Sequence, residues 1–380
     1  MDLSFNDDQK QLQDALAKFI ERDYGFERRR AHQQLPEGFS REAWGQFAEM
    51  GLLALPFAEA DGGLGGGAAE MLVVMTAIGN ALMVEPYLAT VVLAGGAIAR
   101  AGNAAQKQEL LGAIAEGRLI AAAAFEEPGA RYNLAQVATT AKKDGGGYVI
   151  SGSKAVVLHG GQADRLVVSA RTAGAAGDAQ GISLFVIDGK ATGVTVRDYR
   201  TIDGLRAADI TFEGVRVPAS ALLGAEGGAF EVIDAVGDAG AAALCAEAVG
   251  VMESLNRQTL DYMKGRQQFG QPIGAFQVLQ HRAVDMFIHA EQSKSMTYLA
   301  AIKAPVVGEA ASAQERRRAV SAAKVHIGNS GRVVAQEAIQ LHGGMGMTNE
   351  LAASHYAKRL TMIDFVLGDG AHHLARFEAA

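Results

Sequence analysis

Two stretches of the sequence hold side chains able to do chemistry at spacings that the surrounding pattern does not require. In Gly265 to Met286, GRQQFGQPIGAFQVLQHRAVDM, an Arg, a Phe-Gly pair, a Pro and a run of amides interrupt two helical patterns. A guanidinium beside an aromatic ring suits a pyrophosphate with an attached purine, because Arg offers fork-shaped donors and Phe an apolar face. The same residues also suit an ordinary helix junction, and both readings stand at this point. In Ala241 to Met252, AAALCAEAVGVM, Glu247 is the one charge. At about 100° per residue it shares a face with Ala243, Leu244, Gly250 and Val251, while Asp238, Glu253 and Asn256 fall on roughly the opposite side. Glu247 is therefore expected to point inward. Burial there moves a carboxylate toward the range of a general base, unless a cation elsewhere in the chain pairs with it. Other candidates are plainer. His281 and Arg282 sit on a helical pattern, His372 and His373 lack a metal-like spacing with Asp369, and the run Gly62 to Gly67 has neither the strand before nor the Lys-Ser after that a phosphate loop needs.

The elements that must position these residues follow from composition and period. A chain of 380 residues that is 49% hydrophobic can bury a large core and suggests two or three domains. The net charge of -7, with no long basic tract, makes nucleic acid an unsuitable partner. The single cysteine, Cys245, excludes an intrachain disulfide and suits a reducing compartment, with the cytoplasm as the expected location. The acidic, amphipathic start is unlike a signal peptide, and no uncharged apolar run reads as a membrane span, so no membrane partner is expected. From Leu3 to about Arg118 apolar residues recur at helical spacing, as in Leu12, Leu16, Phe19 and Ile20, broken at Leu35 to Gly38 and at the glycine run. Between about Leu119 and Leu223 short β-rich segments bounded by Gly, Asp or Lys suggest a compact antiparallel sheet or barrel. From Gly228 onward long helices return, broken near Phe269 to Gly274 and Leu341 to Met347.

Ordered motifs connect these parts. They are Glu127-Pro128-Gly129-Ala130, Gly152-Ser153-Lys154 followed by Gly160-Gly161, and Phe212 to Pro218 (FEGVRVP). Arg266-Gln267-Gln268-Phe269-Gly270, Phe276-Gln277, and Ile339 to Gly346 (IQLHGGMG) follow. In this order the sequence resembles the acyl-CoA dehydrogenases over essentially its whole length, and in particular members acting on bulky steroid- or ring-derived thioesters or on dicarboxylic ones. The resemblance implies an α+β multidomain fold: an N-terminal helical domain (1–118), a middle antiparallel β-barrel domain (119–225) and a C-terminal four-helix bundle (226–380).

It also implies FAD as cofactor and α,β-dehydrogenation of an acyl-CoA thioester, in which a carboxylate removes the α-proton as the β-hydrogen leaves as hydride to the flavin. Electrons would pass to an electron-transferring flavoprotein. Arg266 and Phe269 would meet the pyrophosphate and adenine, Gln268 and Gln277 would also bind the cofactor, and Gln340, Gly343 and Gly344 would approach from a neighbouring subunit. Gly343-Gly344 also reads as a plain helix C-cap. Phe125, Glu126 and Glu127 would run beside the flavin ring. The family often has Thr where Glu126 stands, and Trp and Thr where Val156 and Leu158 stand. Two residues compete for the base. Asp364, in MIDFV, aligns with the Glu of a Tyr-Glu-Gly-Thr motif without the following Gly-Thr, and Glu247 lies on the helix where some members place their base. A homotetramer, or a heterotetramer with a homologous subunit, is implied. A non-catalytic or half-catalytic subunit, an oxidase on the same fold and a pure flavin or acyl-CoA binding protein are the alternatives.

Overall fold

The computed structural model describes residues 5–308 and 310–380. The first part is helical: α1 (Asp7–Asp23), α2 (Phe26–Gln34), α3 (Arg41–Glu49), α4 (Ala68–Ala81), a π-helical stretch Leu88–Gly95 that runs into α5 (Gly96–Ala101), and α6 (Ala104–Ala115). Local chemistry sets the ends. Asn6 accepts from the Gln9 amide at 2.8 Å while the Gln9 side chain caps Asn6, and Asn103 with Gln106 repeats this capping box on α6.

Eight strands follow: β1 (Ala121–Ala124), β2 (Thr140–Asp144), β3 (Gly147–Leu158), β4 (Arg165–Arg171), β5 (Ile182–Asp188), β6 (Val194–Arg200), β7 (Arg206–Pro218) and β8 (Leu222–Leu223). Their order is β6-β7-β3-β2-β4-β5-β8, with β1 on β4. The pairings are antiparallel as expected, except that β1 lies parallel to β4 and Thr140 pairs in parallel with Arg171. The sheet is therefore mixed, because the chain enters β1 directly from the helical part rather than from a hairpin. β3 and β7 slip register between Ile150 and Gly152 and again between Lys154 and Val157. The second bulge forces Val156, a β-branched residue, to φ 52.

The last part comprises α7 (Phe230–Gly265), the small hairpin β9 (Gln267–Gln268) and β10 (Gln271–Pro272), then α8 (Gln277–Lys303), α9 (Ala313–His342), α10 (Ala352–Phe365) and α11 (Gly370–Glu378). α7 is long and apolar enough by composition to cross a membrane, although charges interrupt its apolar run as expected, and 94% of the apolar window is buried in the protein. It is the central core helix. That position also corrects the expected outward side of α7: Asp238 is buried and bound by Arg316 (Nε to Oδ2, 2.7 Å) and Arg376, because α9 and α11 bring these cations over that side. The small residues of α7 admit α4. A Cβ on Gly79 would lie 2.0 Å from the Glu247 carbonyl oxygen, and one on Gly250 would lie 2.0 Å from that of Thr76.

Candidate functional site

A stepped cleft runs between the sheet and the C-terminal helices. Its outer cavity, about 660 Å³, is lined by Glu126, Tyr132 and Leu134 of the loop after β1, by Asp234, Gly237 and Asp238 of α7, and by Arg317 and Arg376. The middle cavity, about 210 Å³, shares Glu126, Tyr132, Leu134, Gly237 and Leu367 with it. Phe125, Val156 and Leu158 wall it on the sheet side, and Met362, Phe365 and Val366 on the α10 side. An inner cavity of about 40 Å³ shares Leu158 and Val366 with the middle one and reaches Glu85, His159, Arg206, Glu247 and Arg359. Three of the non-glycine residues at positive φ border this cleft: Val156 (52), His159 (51) and Leu367 (57). Strained backbone of this kind collects where a wall must be aimed.

The two adjacent glutamates of the β1 loop differ in environment. Glu127 is buried and accepts from Lys154 Nζ at 2.7 Å and from the amides of Ala138 (2.7 Å) and Thr139 (3.0 Å). Burial raises its pKa, but Lys154 and those amides outweigh burial and hold it below the usual range. Burial pulls Lys154 down to about 8, a shift that Glu127 partly offsets. Lys154 also donates to Ser169 Oγ at 2.8 Å, so the pair ties the β1 loop to β3 and β4. The Glu127 side chain, expected beside the flavin ring, is thus committed to shaping the loop that presents Phe125 and Glu126. Glu126 is half-buried, its side chain has no partner among the described residues, and burial pushes it up to about 7. Of the carboxylates that line the two larger cavities it is the unpaired one, since Arg316, Arg317 and Arg376 hold Asp234 and Asp238.

Glu247 points inward as expected and is chelated there. Arg359 donates from Nε to Oε1 at 2.5 Å and from Nη2 to Oε2 at 2.7 Å, and its Nη1 reaches Asp203 Oδ2 at 2.8 Å. Burial pulls Arg359 down, but the two carboxylates outweigh that and raise it. Arg29 of α2 donates to the Asp203 carbonyl at 3.0 Å and the Leu82 carbonyl at 2.7 Å, so one buried network joins the helical part, the β6–β7 turn, α7 and α10. Asp364 is buried on the opposite face of α10 from the cleft and lines none of its cavities. Its Oδ1 is unpartnered and faces α9, where a Cβ on Gly328 would lie 2.2 Å away; its Oδ2 meets Arg332 at 3.3 Å. Lys324 caps the end of α10 instead, donating to the Ile363 carbonyl at 2.6 Å and the Val366 carbonyl at 2.9 Å. Neither expected base therefore presents a free carboxylate to the two larger cavities.

The residues of the expected clasp lie apart from the cleft. Phe269 (φ 54) and Gly270 (φ 78) form the two-residue turn between β9 and β10, and this left-handed turn leaves the Phe269 ring 91% exposed. Arg266, Gln268 and Gln277 are exposed around it, as are Gln340, Gly343 and Gly344 at the end of α9. The stacking of Tyr262 on His342, centroids 4.5 Å apart, puts the ends of α7 and α9 side by side. Gly343 (φ 59) does cap α9, and nothing lies within 4 Å of where its Cβ or that of Gly344 would be. The donor set fits FAD in two pieces: an apolar slot walled by Phe125, Val156 and Phe365 suits a flat ring, and exposed guanidinium, amide and glycine backbone donors suit phosphates. No clasp residue lines any of the three cavities described, so a single chain does not bring the two pieces together.

Sequence reading missed Arg359, Asp203, His159, Arg206 and Tyr132 as members of the site. Arg359 alone left a signal, a cation among apolar positions of a helix, which is the partner an inward Glu247 requires.

Comparison with known proteins gives concordant results. Residues 6–118 match the acyl-CoA dehydrogenase N-terminal domain, residues 122–215 its middle domain and residues 230–376 its C-terminal domain. The short-chain specific acyl-CoA dehydrogenase of Clostridium acetobutylicum is 30% identical over 83% of this chain and 82% of its own length. An acyl-CoA dehydrogenase structure from Geobacillus kaustophilus superposes with a TM-score of 0.90 at 26% identity, covering 99% of this chain and 98% of that one. A chain of the ChsE4-ChsE5 complex from Mycobacterium tuberculosis gives 0.88 at 26% identity, covering 100% and 98%. The chain belongs to the acyl-CoA dehydrogenase family, whose cofactor is FAD and whose reaction is the α,β-dehydrogenation of acyl-CoA thioesters.

Proposed function

We propose that the stepped cleft is where the acyl-CoA thioester is dehydrogenated, and that Glu126 takes the α-proton. The observation that carries this reading is the unpaired, half-buried Glu126 carboxylate at the junction of the outer and middle cavities. Bound FAD supplies the two-electron acceptor for the β-hydrogen. The rest falls to the chain's own residues. Glu127 and Lys154 fix the loop that aims Glu126. Gly237 of α7 lines the same junction, and Arg317 at the outer rim, partly exposed and paired with Asp234 alone among the described residues, suits the phosphates of CoA. Glu247 and Asp364 are the rival bases. The Arg359 chelate must open before Glu247 can accept a proton, and Asp364 must leave the α9 face. The test is flavin bleaching by substrate in Glu126→Gln, Glu247→Gln and Asp364→Asn. Loss confined to Glu126→Gln supports the assignment, and unchanged bleaching in that variant overturns it.

The exposed clasp supports an FAD site completed by a second subunit, with Arg266, Gln268, Phe269 and Gln277 of one chain facing Gln340, Gly343 and Gly344 of another. Electron-transferring flavoprotein is the proposed acceptor, and the cytoplasm, a reducing compartment, the proposed location for the buried thiol of Cys245. A second reading has its own support: the chelated Glu247 and the turned-away Asp364 suit a half-catalytic subunit that pairs with a homologue, an arrangement for which the ChsE4-ChsE5 complex offers a precedent. The visible spectrum of the chain purified alone separates the two. About one FAD per chain supports a homotetramer, and colourless protein supports the heteromer.

A further inference from the structure

The β3 bulge that walls the middle cavity is held from two sides. Lys154 pairs with Ile210 and Val157 with Ala208, so Ala155 and Val156 together oppose the single residue Asp209 of β7. The amides of both bulge residues find acceptors outside the ladder. Ala155 donates to the Glu126 carbonyl at 3.0 Å, and Val156 donates to Asp209 Oδ1 at 3.2 Å. Asp209 is fixed in turn from β6, where Tyr199 Oη donates to Oδ1 at 3.1 Å and Arg197 pairs with Oδ2. Burial pushes its carboxyl up, but Arg197, the Val156 amide and Tyr199 outweigh burial and hold it below the usual range, so the acceptor is a carboxylate. Ala155 and Val156 both line the middle cavity, and Glu126 lines it where it meets the outer one.

We propose that Asp209 is a positioning residue for the flavin ring: by holding the Val156 amide it keeps the Val156 side chain against the slot that receives the ring. The assignment rests on the middle cavity being that slot. Val156 is 46% exposed, so little packing of its own fixes this wall, and the uncovered face is open for a ring to cover. Its φ of 52 is a conformation that a β-branched residue does not keep without an external hold. The Asp209 carboxylate supplies that hold. Without it the bulge is free to slide, and a slip of one residue turns a side chain to the other face of the sheet. The Ala155 amide would carry the same movement to the Glu126 backbone, so one carboxylate sets the ring's wall and the loop of the proposed base. Asp209, Arg197 and Tyr199 line none of the three cavities described, which makes the action of Asp209 indirect, through Val156.

The experiment follows the visible spectrum of FAD bound to the flavin-loaded enzyme and the dissociation constant of that FAD, measured by ultrafiltration. Asp209→Ala should shift the flavin bands and weaken FAD by about tenfold, the size expected of one hydrogen bond to a charged group. Asp209→Asn keeps an acceptor oxygen for the Val156 amide and loses only the pairing with Arg197, whose side chain is 80% exposed and adds little. It should keep the wild-type spectrum and hold FAD within about twofold of wild type. An Asn variant as impaired as the Ala variant overturns the proposal, because an ion pair rather than the amide would then be what matters. An Ala variant with wild-type spectrum and FAD affinity overturns it too. Hydrogen exchange of the wild-type Val156 amide needs no variant: slow exchange is expected, and exchange at the rate of an unstructured chain also overturns the proposal. Val156→Phe puts bulk directly into the slot and should change the spectrum or release FAD. If it does neither, the slot reading itself falls; if it does and Asp209→Ala does not, only the role of Asp209 falls.

Discussion

Glu126 and Glu127 are chemically identical neighbours, and what lies within hydrogen-bond reach separates their roles. A carboxylate that must take a proton needs a free lone pair and a pKa near working pH. Glu126 has both, whereas Glu127 has spent its oxygens on Lys154 and two amides. Burial lifts Glu126 from 4.5 to about 7, and a base works only when deprotonated, so turnover should rise with pH through about 7. Glu126→Gln should lower kcat by roughly 10²- to 10⁴-fold and remove that acid limb, as a pH profile of kcat would register. An unchanged limb would reassign it to another group. Lys154 gives the complementary prediction. Lys154→Met leaves Glu127 buried without its cation and should cost about 3–5 kcal/mol in urea unfolding, and Glu127→Gln in the same chain should return part of it. Little of this was legible in the sequence, because the two glutamates are adjacent in one segment and only the bulged β3 decides which of them meets a lysine.

At the scale of elements, the α4–α7 crossing holds Glu247 where it is. Gly79 lets α4 come so close that its missing Cβ would overlap the Glu247 carbonyl. Gly79→Ala should therefore cost about 1–3 kcal/mol and lower the melting temperature. Gly112→Ala on α6, where nothing lies within 4 Å, should stabilise by about 0.5–1 kcal/mol through helix propensity alone. Equal effects at the two sites would remove the close-packing account. The crossing also shows what a single sequence reveals of elements. Helical and β segments were readable from their periods, and the inward face of Glu247 from the wheel. The small residues beside Glu247 are where α4 packs against α7. A side-chain stripe does not record which element covers it. For the same reason Asp238 read as outward, although Arg316 of α9 and Arg376 of α11 cover it.

The whole molecule carries two consequences, one of buried charge and one of uncovered surface. His159 and His373 are buried and neutral, pushed down to about 4 and about 3 from 6.5 chiefly by burial. Both folded values lie below the unfolded one, so the unfolded chain binds more protons as pH falls, and stability is lost from about pH 6.5 downward. By pH 5 each histidine should have cost up to about 2 kcal/mol, visible as a falling melting temperature, and His373→Asn should flatten the slope. A melting temperature constant from pH 7 to pH 5 would contradict this. The uncovered surface lies along α8, which begins just after the exposed Phe269 turn and on which Val284, Phe287, Ile288, Leu299 and Ile302 recur at helical spacing and stay exposed. A stripe of that kind is expected to be covered by another subunit. If the same assembly closes the FAD clasp, the two losses must coincide. Phe287→Asp lies outside the clasp, yet it should reduce the mass measured by light scattering and release FAD at the same protein concentration. A dissociated variant that keeps its full flavin absorbance would show that one chain holds the dinucleotide unaided, and the division of the site between subunits would fall.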